Sequence, residues 1–202
     1  MPTLSESAIA TLLAPYLTAE ATPANLYAQL STYLDLLLKW NARTNLTAIR
    51  DPEEIVRRHF GESLFAARHL GPSDTLLDLG SGAGFPGLPI ALLHPETRVT
   101  LAESQNKKAT FLREVVRTLG LNTEIWPNRA ESLPPTRQFH IVTLRAVDNM
   151  AAALAAAEPR ATHQLILLTS ASSAPALSTF PNQNYLPIPE SQDRILLTAT
   201  RH

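Results

Sequence analysis

The chain has 202 residues, 45% hydrophobic and 17% charged, a composition that suits a globular domain with a buried core. It contains no cysteine, which excludes disulfide staples, Cys-ligated zinc or iron–sulfur sites and any thiolate nucleophile, and suits a reducing compartment. Seventeen Lys and Arg stand against eighteen Asp and Glu, so a net charge of −1 offers no global field toward nucleic acid, and any such binding needs a local patch.

The opening stretch MPTLSESAIATLLAPYL carries Glu6 and no Lys or Arg ahead of its apolar part, unlike a secretory signal. Apolar runs such as 151–157 fall far short of the roughly 20 residues that cross a bilayer. The expectation is a soluble cytoplasmic protein with no membrane contact. Up to residue 70 the spacing predicts helices. Thr22-Pro23 reads as a cap followed by proline at the first helical position, with Leu26, Leu30, Leu34 and Leu37 on one face, ending near Trp40. Asp51-Pro52-Glu53-Glu54 repeats the signal, with Ile55, Val56, Phe60 and Leu64 following. Residues 1–70 are read as a helical extension packed on a core of residues 71–202.

From Thr75 short apolar runs alternate with helical segments, the pattern of βαβ units around a mostly parallel sheet, hence an α/β fold. Strands are predicted near 75–79, 98–102, 122–126, 139–144 and 164–169, with helices near 86–94, 104–119 and 148–157. Two more strands, near 184–188 and 194–200, are too close for a crossover helix and should pair antiparallel. The Ser, Ala and Pro-rich stretch 170–178 reads as a loop without a core pattern.

Four of the seven glycines, Gly80, Gly82, Gly84 and Gly87, fall within residues 80–87, between a predicted strand and a predicted helix. There glycine permits a sharp turn and close approach of a ligand to the backbone. From Gly82 the residues fit G-x-G-x-x-G, the dinucleotide fingerprint, with Glu103 placed for a ribose hydroxyl. From Asp78 they fit acidic-x-G-x-G-x-G, the pattern of methyltransferases that use S-adenosylmethionine. The second reading is favoured, because a carboxylate at the strand end suits the cationic end of a methionine moiety and would repel a pyrophosphate. A seventh strand inserted antiparallel is also what class I methyltransferases resemble. A glycine turn that serves only packing is the structural alternative.

The segments KWNARTNLTAIRDPEEIVRRHFGES (39–63), LLDLGSGAGFPGLPIAL (76–92), ESQNKKATFLREV (103–115), NRAESL and LRAV together resemble the bacterial 16S rRNA (guanine-N7) methyltransferase G family, also called glucose-inhibited division protein B. The most specific part is KWN-x-x-x-NLT joined to GSGAGFPG. The resemblance implies a class I, Rossmann-like core and transfer of a methyl group from S-adenosylmethionine to N7 of one guanine in a 16S rRNA loop, at about position 527 of the RNA. S-adenosylhomocysteine would be the product. It further implies a cofactor pocket at Gly80, Ser81, Gly82, Phe85, Ala130, Glu131 and Arg145, with Glu103 as the ribose ligand. Two departures stand out: Thr169-Ser170 where the family often has lysine-glycine, and His59-Phe60-Gly61-Glu62-Ser63 where it has His-x-x-Asp-Ser.

The residues agree with that chemistry. Guanine N7 carries an in-plane lone pair and no proton, so alignment matters more than a base. Methylation at pyrimidine C5 normally uses a cysteine, and there is none. Methylation of exocyclic amines usually shows Asn/Asp-Pro-Pro-aromatic after the fourth strand, where this chain reads Leu144-Arg145-Ala146-Val147. Arg145 is therefore the candidate catalytic residue, donating to guanine O6 or a phosphate, or stacking on the base; the alternative is an ion pair with Asp148 or Glu131. RNA contact is assigned to Lys107, Lys108, Arg129, Arg58, His59 and Arg43; Arg50 and Arg57 group with Arg43 and Arg58 as a clamp on the backbone, Arg129 and Arg113 are weaker candidates, and plain solvation, or pairing with Glu103 for the lysines, is the alternative. Asn41, Asn45 and His59 either orient the target loop or serve as core and capping residues. The six histidines show no ligand spacing, so no metal is expected. The expected partner is 16S rRNA within the 30S subunit or an assembly intermediate, with a monomer as the default. A SAM-binding assembly factor without transfer activity and an NAD-binding Rossmann enzyme are the competing functions.

Overall fold

Alternating apolar runs become strands, and a computed structural model describes them within residues 2–18, 22–146 and 149–201. Seven strands, β1 (Thr75–Leu79), β2 (Arg98–Ala102), β3 (Thr123–Trp126), β4 (Phe139–Arg145), β5 (Ala161–Ser170), β6 (Asn182–Pro187) and β7 (Arg194–Thr200), form one sheet in the order β3-β2-β1-β4-β5-β7-β6. The first five are parallel. β7 runs antiparallel between β5 and β6, Leu196 pairing with Leu168 on one side and Leu186 on the other. This is the mostly parallel sheet with a terminal antiparallel pair read from the sequence. The order reverses between β1 and β4, and in open α/β sheets the crevice at such a switch point receives the ligand.

The helices are α1 (Glu6–Leu13), α2 (Leu26–Thr44), α3 (Pro52–Ile55), α4 (Glu62–Ala67), α5 (Gly87–Leu93), α6 (Asn106–Leu119) and α7 (Met150–Ala157), with a π-helical segment, Val56–Gly61, joining α3 to α4. Asp51 caps α3 as expected, accepting the Glu54 N–H at 2.8 Å. The start expected at Thr22-Pro23 is not used. The Pro23 carbonyl instead closes a turn on the Leu26 N–H at 3.0 Å, and α2 begins at Leu26 behind Asn25. Its leucines Leu26, Leu30, Leu34 and Leu37 are fully buried, as helical spacing demands. Among the described residues no helix is long and apolar enough to cross a membrane.

Period-two alternation divides the sheet residues between two cores. Leu76, Ile141, Ile166, Leu168 and Leu196 face α1, α2, α4, α5 and α6, sharing a cluster with Leu30, Phe60, Leu88 and Phe111. Leu77, Val142, Leu165, Leu167 and Leu197 face α7 together with Leu133, Leu154, Leu177 and Phe180. The stretch expected to lack a core pattern therefore contributes Leu177, and Phe180 just beyond it is also fully buried. The same alternation places Asp78, Thr143, Arg145 and Arg194 on the face covered by the N-terminal helices.

Candidate cofactor and substrate site

Beyond the C-terminal ends of β1, β2 and β4 lies a cavity of about 340 Å³, lined among others by Gly80, Ser81, Gly82, Phe85, Glu103 and Arg145. The loop after β1 is tied to the neighbouring strand, since the Gly80 and Ser81 N–H groups both donate to the Ala102 carbonyl, at 3.0 and 3.1 Å. Gly80 has φ +73° and a Cβ there would meet no heavy atom of the described residues within 4 Å, so among them its backbone borders open space. Gly87 serves packing instead: a Cβ would lie 2.8 Å from Asp78 Oδ2. The glycine cluster thus divides between ligand approach and core closure.

That division moves Asp78 from its expected role. The side chain is fully buried beneath the loop, Oδ1 accepting from Thr143 Oγ1 at 2.8 Å and Oδ2 from the Gly87 N–H at 3.1 Å, and it is not part of the cavity wall. Its parity in β1 aims it at the start of α5, where it fixes the loop instead of meeting a ligand. Burial pushes its carboxyl up to about 6, against the hydrogen bonds from Thr143, Ser81 and Gly87 and the charge of Arg145. The native state then holds this proton to about pH 6, whereas the unfolded chain releases it near 3.8. Stability from this group is present below about pH 4 and lost as pH rises to about 6, a swing of about 3 kcal/mol. Urea unfolding of the protein and of Asp78→Asn should diverge by that amount over the window; a difference that stays constant from pH 4 to 7 would rule the shift out.

Glu103 lines the cavity with both oxygens already engaged, Oε2 accepting the Gly82 N–H at 2.9 Å and Oε1 the Gln105 N–H at 2.7 Å. A carboxylate keeps further lone pairs, so it can still accept from hydroxyls. Phe85 stacks with Tyr33 (5.5 Å, 18°) and with His59 (4.7 Å, 21°), and the Arg145 guanidinium lies over its ring at 5.8 Å from the centre. His59 Nε2 lies 2.7 Å from Thr47 Oγ1. Burial, then the charges of Arg145, Arg58 and Arg194, press its pKa down to about 2, so the ring is neutral.

Arg145 at the end of β4 has an ion-pair partner that the sequence did not suggest. Its Nη2 donates to Glu62 Oε2 at 3.1 Å and to the Arg58 carbonyl at 2.7 Å. Of the two partners considered, Glu131 makes no ion pair with it among the described residues, and Asp148, like Val147, lies outside them. Burial lowers its pKa to about 10, with Glu62 acting in the opposite direction, so the guanidinium stays charged. Glu62, almost fully buried, also lies 3.3 Å from Arg58 Nε and 2.8 Å from Arg194 Nε.

Of the residues assigned to RNA, Lys108, Arg58 and His59 line the cavity, whereas Lys107, Arg129 and Arg43 are exposed outside it. Ala130 and Glu131 are also outside the wall; Ala130 is buried in the α7 core and Glu131 is exposed. Asn41 and Asn45 act as braces. Asn41 Oδ1 accepts the Thr47 N–H at 3.0 Å, and Asn45 ends α2 in the left-handed region while accepting from Arg50 at 2.9 Å. The KWN-x-x-x-NLT element therefore carries the chain from α2 to His59. Glu62, Thr47 and Arg194 are the polar wall or support residues not expected from the sequence as site members, and Leu46, Ala83 and Ala146 complete the wall. The available signal was a lone charge on each apolar element, Glu62 in α4 and Arg194 heading β7.

The residues fit S-adenosylmethionine: open backbone at Gly80, an acid with spare acceptor capacity at Glu103, and a wall of Phe85, His59 and Ala83. Among the described residues no group of three or more His, Asp or Glu is placed to hold a metal. A second cavity, about 330 Å³, lies at the opposite end of the strands around Arg98, Glu124 and Arg137; there Arg137 and Glu124 neutralise each other.

The model for "rRNA small subunit methyltransferase G" matches residues 26–184. The ribosomal RNA small subunit methyltransferase G of Xanthomonas campestris pv. campestris (strain B100) is 43% identical over 148 residues, 73% of this chain and 69% of that one. In fold, the chain is similar to the ribosomal protein L11 methylase of Lactobacillus delbrueckii subsp. bulgaricus (TM-score 0.58, 12% identity, 72% and 80% of the two chains). It is also similar to M. jannaschii TYW2, solved in complex with AdoMet (TM-score 0.57, 11% identity, 70% and 74%). With more than half its length matched by the family model and a relative 43% identical, the chain belongs to the rRNA small subunit methyltransferase G family, S-adenosylmethionine-dependent enzymes of ribosomal RNA methylation.

Proposed function

We propose that the chain methylates N7 of a guanine in 16S rRNA, presented by the 30S subunit or an assembly intermediate. The observation that carries this reading is Arg145 on the cavity wall, a charged donor held by Glu62 at the position where an amine methyltransferase would keep an acceptor. S-adenosylmethionine supplies an electrophilic methyl on sulfonium. N7 attacks it without losing a proton, forming the N–C bond as the S–C bond breaks, so the protein's task is alignment. Among the described residues the Nε and Nη1 hydrogens of Arg145 have no acceptor, which leaves them for guanine O6 or the base plane. His59, neutral and stacked on Phe85, shapes the wall without adding charge. Glu103 holds the cofactor's ribose, and the Gly80 backbone lets its methionine end approach.

The test is transfer of labelled methyl from S-adenosylmethionine to 30S subunits or 16S rRNA from cells lacking the modification, with the nucleoside identified by mass spectrometry. Label in 7-methylguanosine at a single site is expected. Bound cofactor with no transfer to either substrate would favour the assembly-factor reading, and label at another atom would refute the N7 assignment.

A further inference from the structure

Arg58, Arg145 and Arg194 come from the π segment, β4 and β7, and all three line the cavity. Alternation in β4 and β7 puts Arg145 and Arg194 on one sheet face, while α4 lowers Glu62 between them. Among the described residues Glu62 is the one carboxylate that pairs with these three guanidinium groups, an excess of positive charge. The Arg194 contact is also incomplete as a hydrogen bond. Its Nε lies 2.8 Å from Glu62 Oε1, yet the N–H does not point at that oxygen, and both atoms are buried without a hydrogen-bond partner among the described residues. The guanidinium itself donates to no described residue. Arg58, with 46% of its side chain exposed, brings the cluster to the mouth of the cavity.

We infer that Glu62 presents Arg58, Arg145 and Arg194 as an oxyanion site, occupied by an RNA backbone phosphate beside the target guanine, and that Arg194 is a further substrate-positioning residue. Guanidinium forks match the paired oxygens of a phosphodiester, and a site that reaches the mouth suits a polymer passing the cavity more than an enclosed ligand. The S-adenosylmethionine carboxylate has the same oxyanion chemistry and is the competing occupant. The inference rests on the rRNA-methylation reading.

The experiment compares the parent protein with Arg194→Gln and Arg194→Lys. Binding to unmodified 30S subunits is followed across a range of KCl concentrations, alongside calorimetry with S-adenosylmethionine and steady-state transfer. Removing a phosphate contact should weaken RNA binding, raise KM for 30S with less effect on kcat, and reduce the salt slope by about one. Cofactor affinity should stay unchanged. Arg194→Lys should restore the slope and only part of the affinity, and it decides the matter alone if Arg194→Gln does not fold. Unchanged RNA affinity in the variants would overturn the site. Lost cofactor affinity with intact RNA binding would hand it to the carboxylate and overturn the phosphate assignment. If the parent binds with an Arg194-dependent slope but transfers no methyl, the methylation reading fails and the site stands; if it transfers methyl without that dependence, the methylation reading stands and the phosphate site fails.

Discussion

Gly80→Val should leave a folded protein whose S-adenosylmethionine affinity has fallen at least about 100-fold, or about 2.7 kcal/mol. A Cβ there meets no heavy atom of the described residues within 4 Å, so the side chain points into the space proposed for the ligand and not into the core. Positive φ adds a backbone cost of about 1–2 kcal/mol for a residue with a Cβ. Gly120→Val controls for that cost, because Gly120 has φ +65° and nothing within 4 Å of a built Cβ, at the C-terminal cap of α6. Both variants should lose similar stability in urea, and only the first should lose the cofactor in calorimetry. Normal affinity in Gly80→Val, or an equal loss in Gly120→Val, would refute the placement of the cofactor.

Glu62→Gln is expected to destabilise the fold by about 3–5 kcal/mol, a large part of the roughly 5–15 kcal/mol that holds a domain together. Glutamine keeps the shape and an acceptor, so the loss isolates charge. Arg145 and Arg194, with side chains 8% and 18% exposed, would be left buried without their acid. Arg58, nearly half exposed, is stabilised by water and contributes little to the loss. Glu62→Asp should recover most of the stability, since the charge returns. Urea unfolding reads all three proteins, and a change below about 1 kcal/mol in Glu62→Gln would mean that the arginines are hydrated in place.

Much of the architecture was legible because strand signals are local. β1, β2 and β7 match their expected limits, and the other four strands differ by a few residues at their ends, where an apolar run does not show how far a neighbour extends the ladder. The cap at Asp51 was legible for the same reason, whereas Thr22-Pro23 carried the right chemistry without a helix to start. The site was legible in its wall and not in its supports. Gly80, Gly82, Phe85, Glu103 and Arg145 sit in contiguous motifs. Asp78 was misplaced because a strand-end acid can face either side, and the space vacated at Gly87 decided the direction. Glu62 and Arg194 meet only through the antiparallel insertion of β7, which brings a late residue over an early helix.

The Tyr33–Phe85–His59 stack bears on whether the glycine loop is a portable part. Phe85 stacks with Tyr33 of α2 and with His59 of the π segment, and the Tyr33 hydroxyl donates to the Ala83 carbonyl inside the loop. These contacts close long stretches of chain, so the shape of the loop depends on the N-terminal helices packed against it. Grafting residues 77–87 onto another strand–helix unit would transfer the turn and leave behind the aromatic vice that grips it. What reads along the chain as a compact signature is held in space by residues dozens of positions upstream.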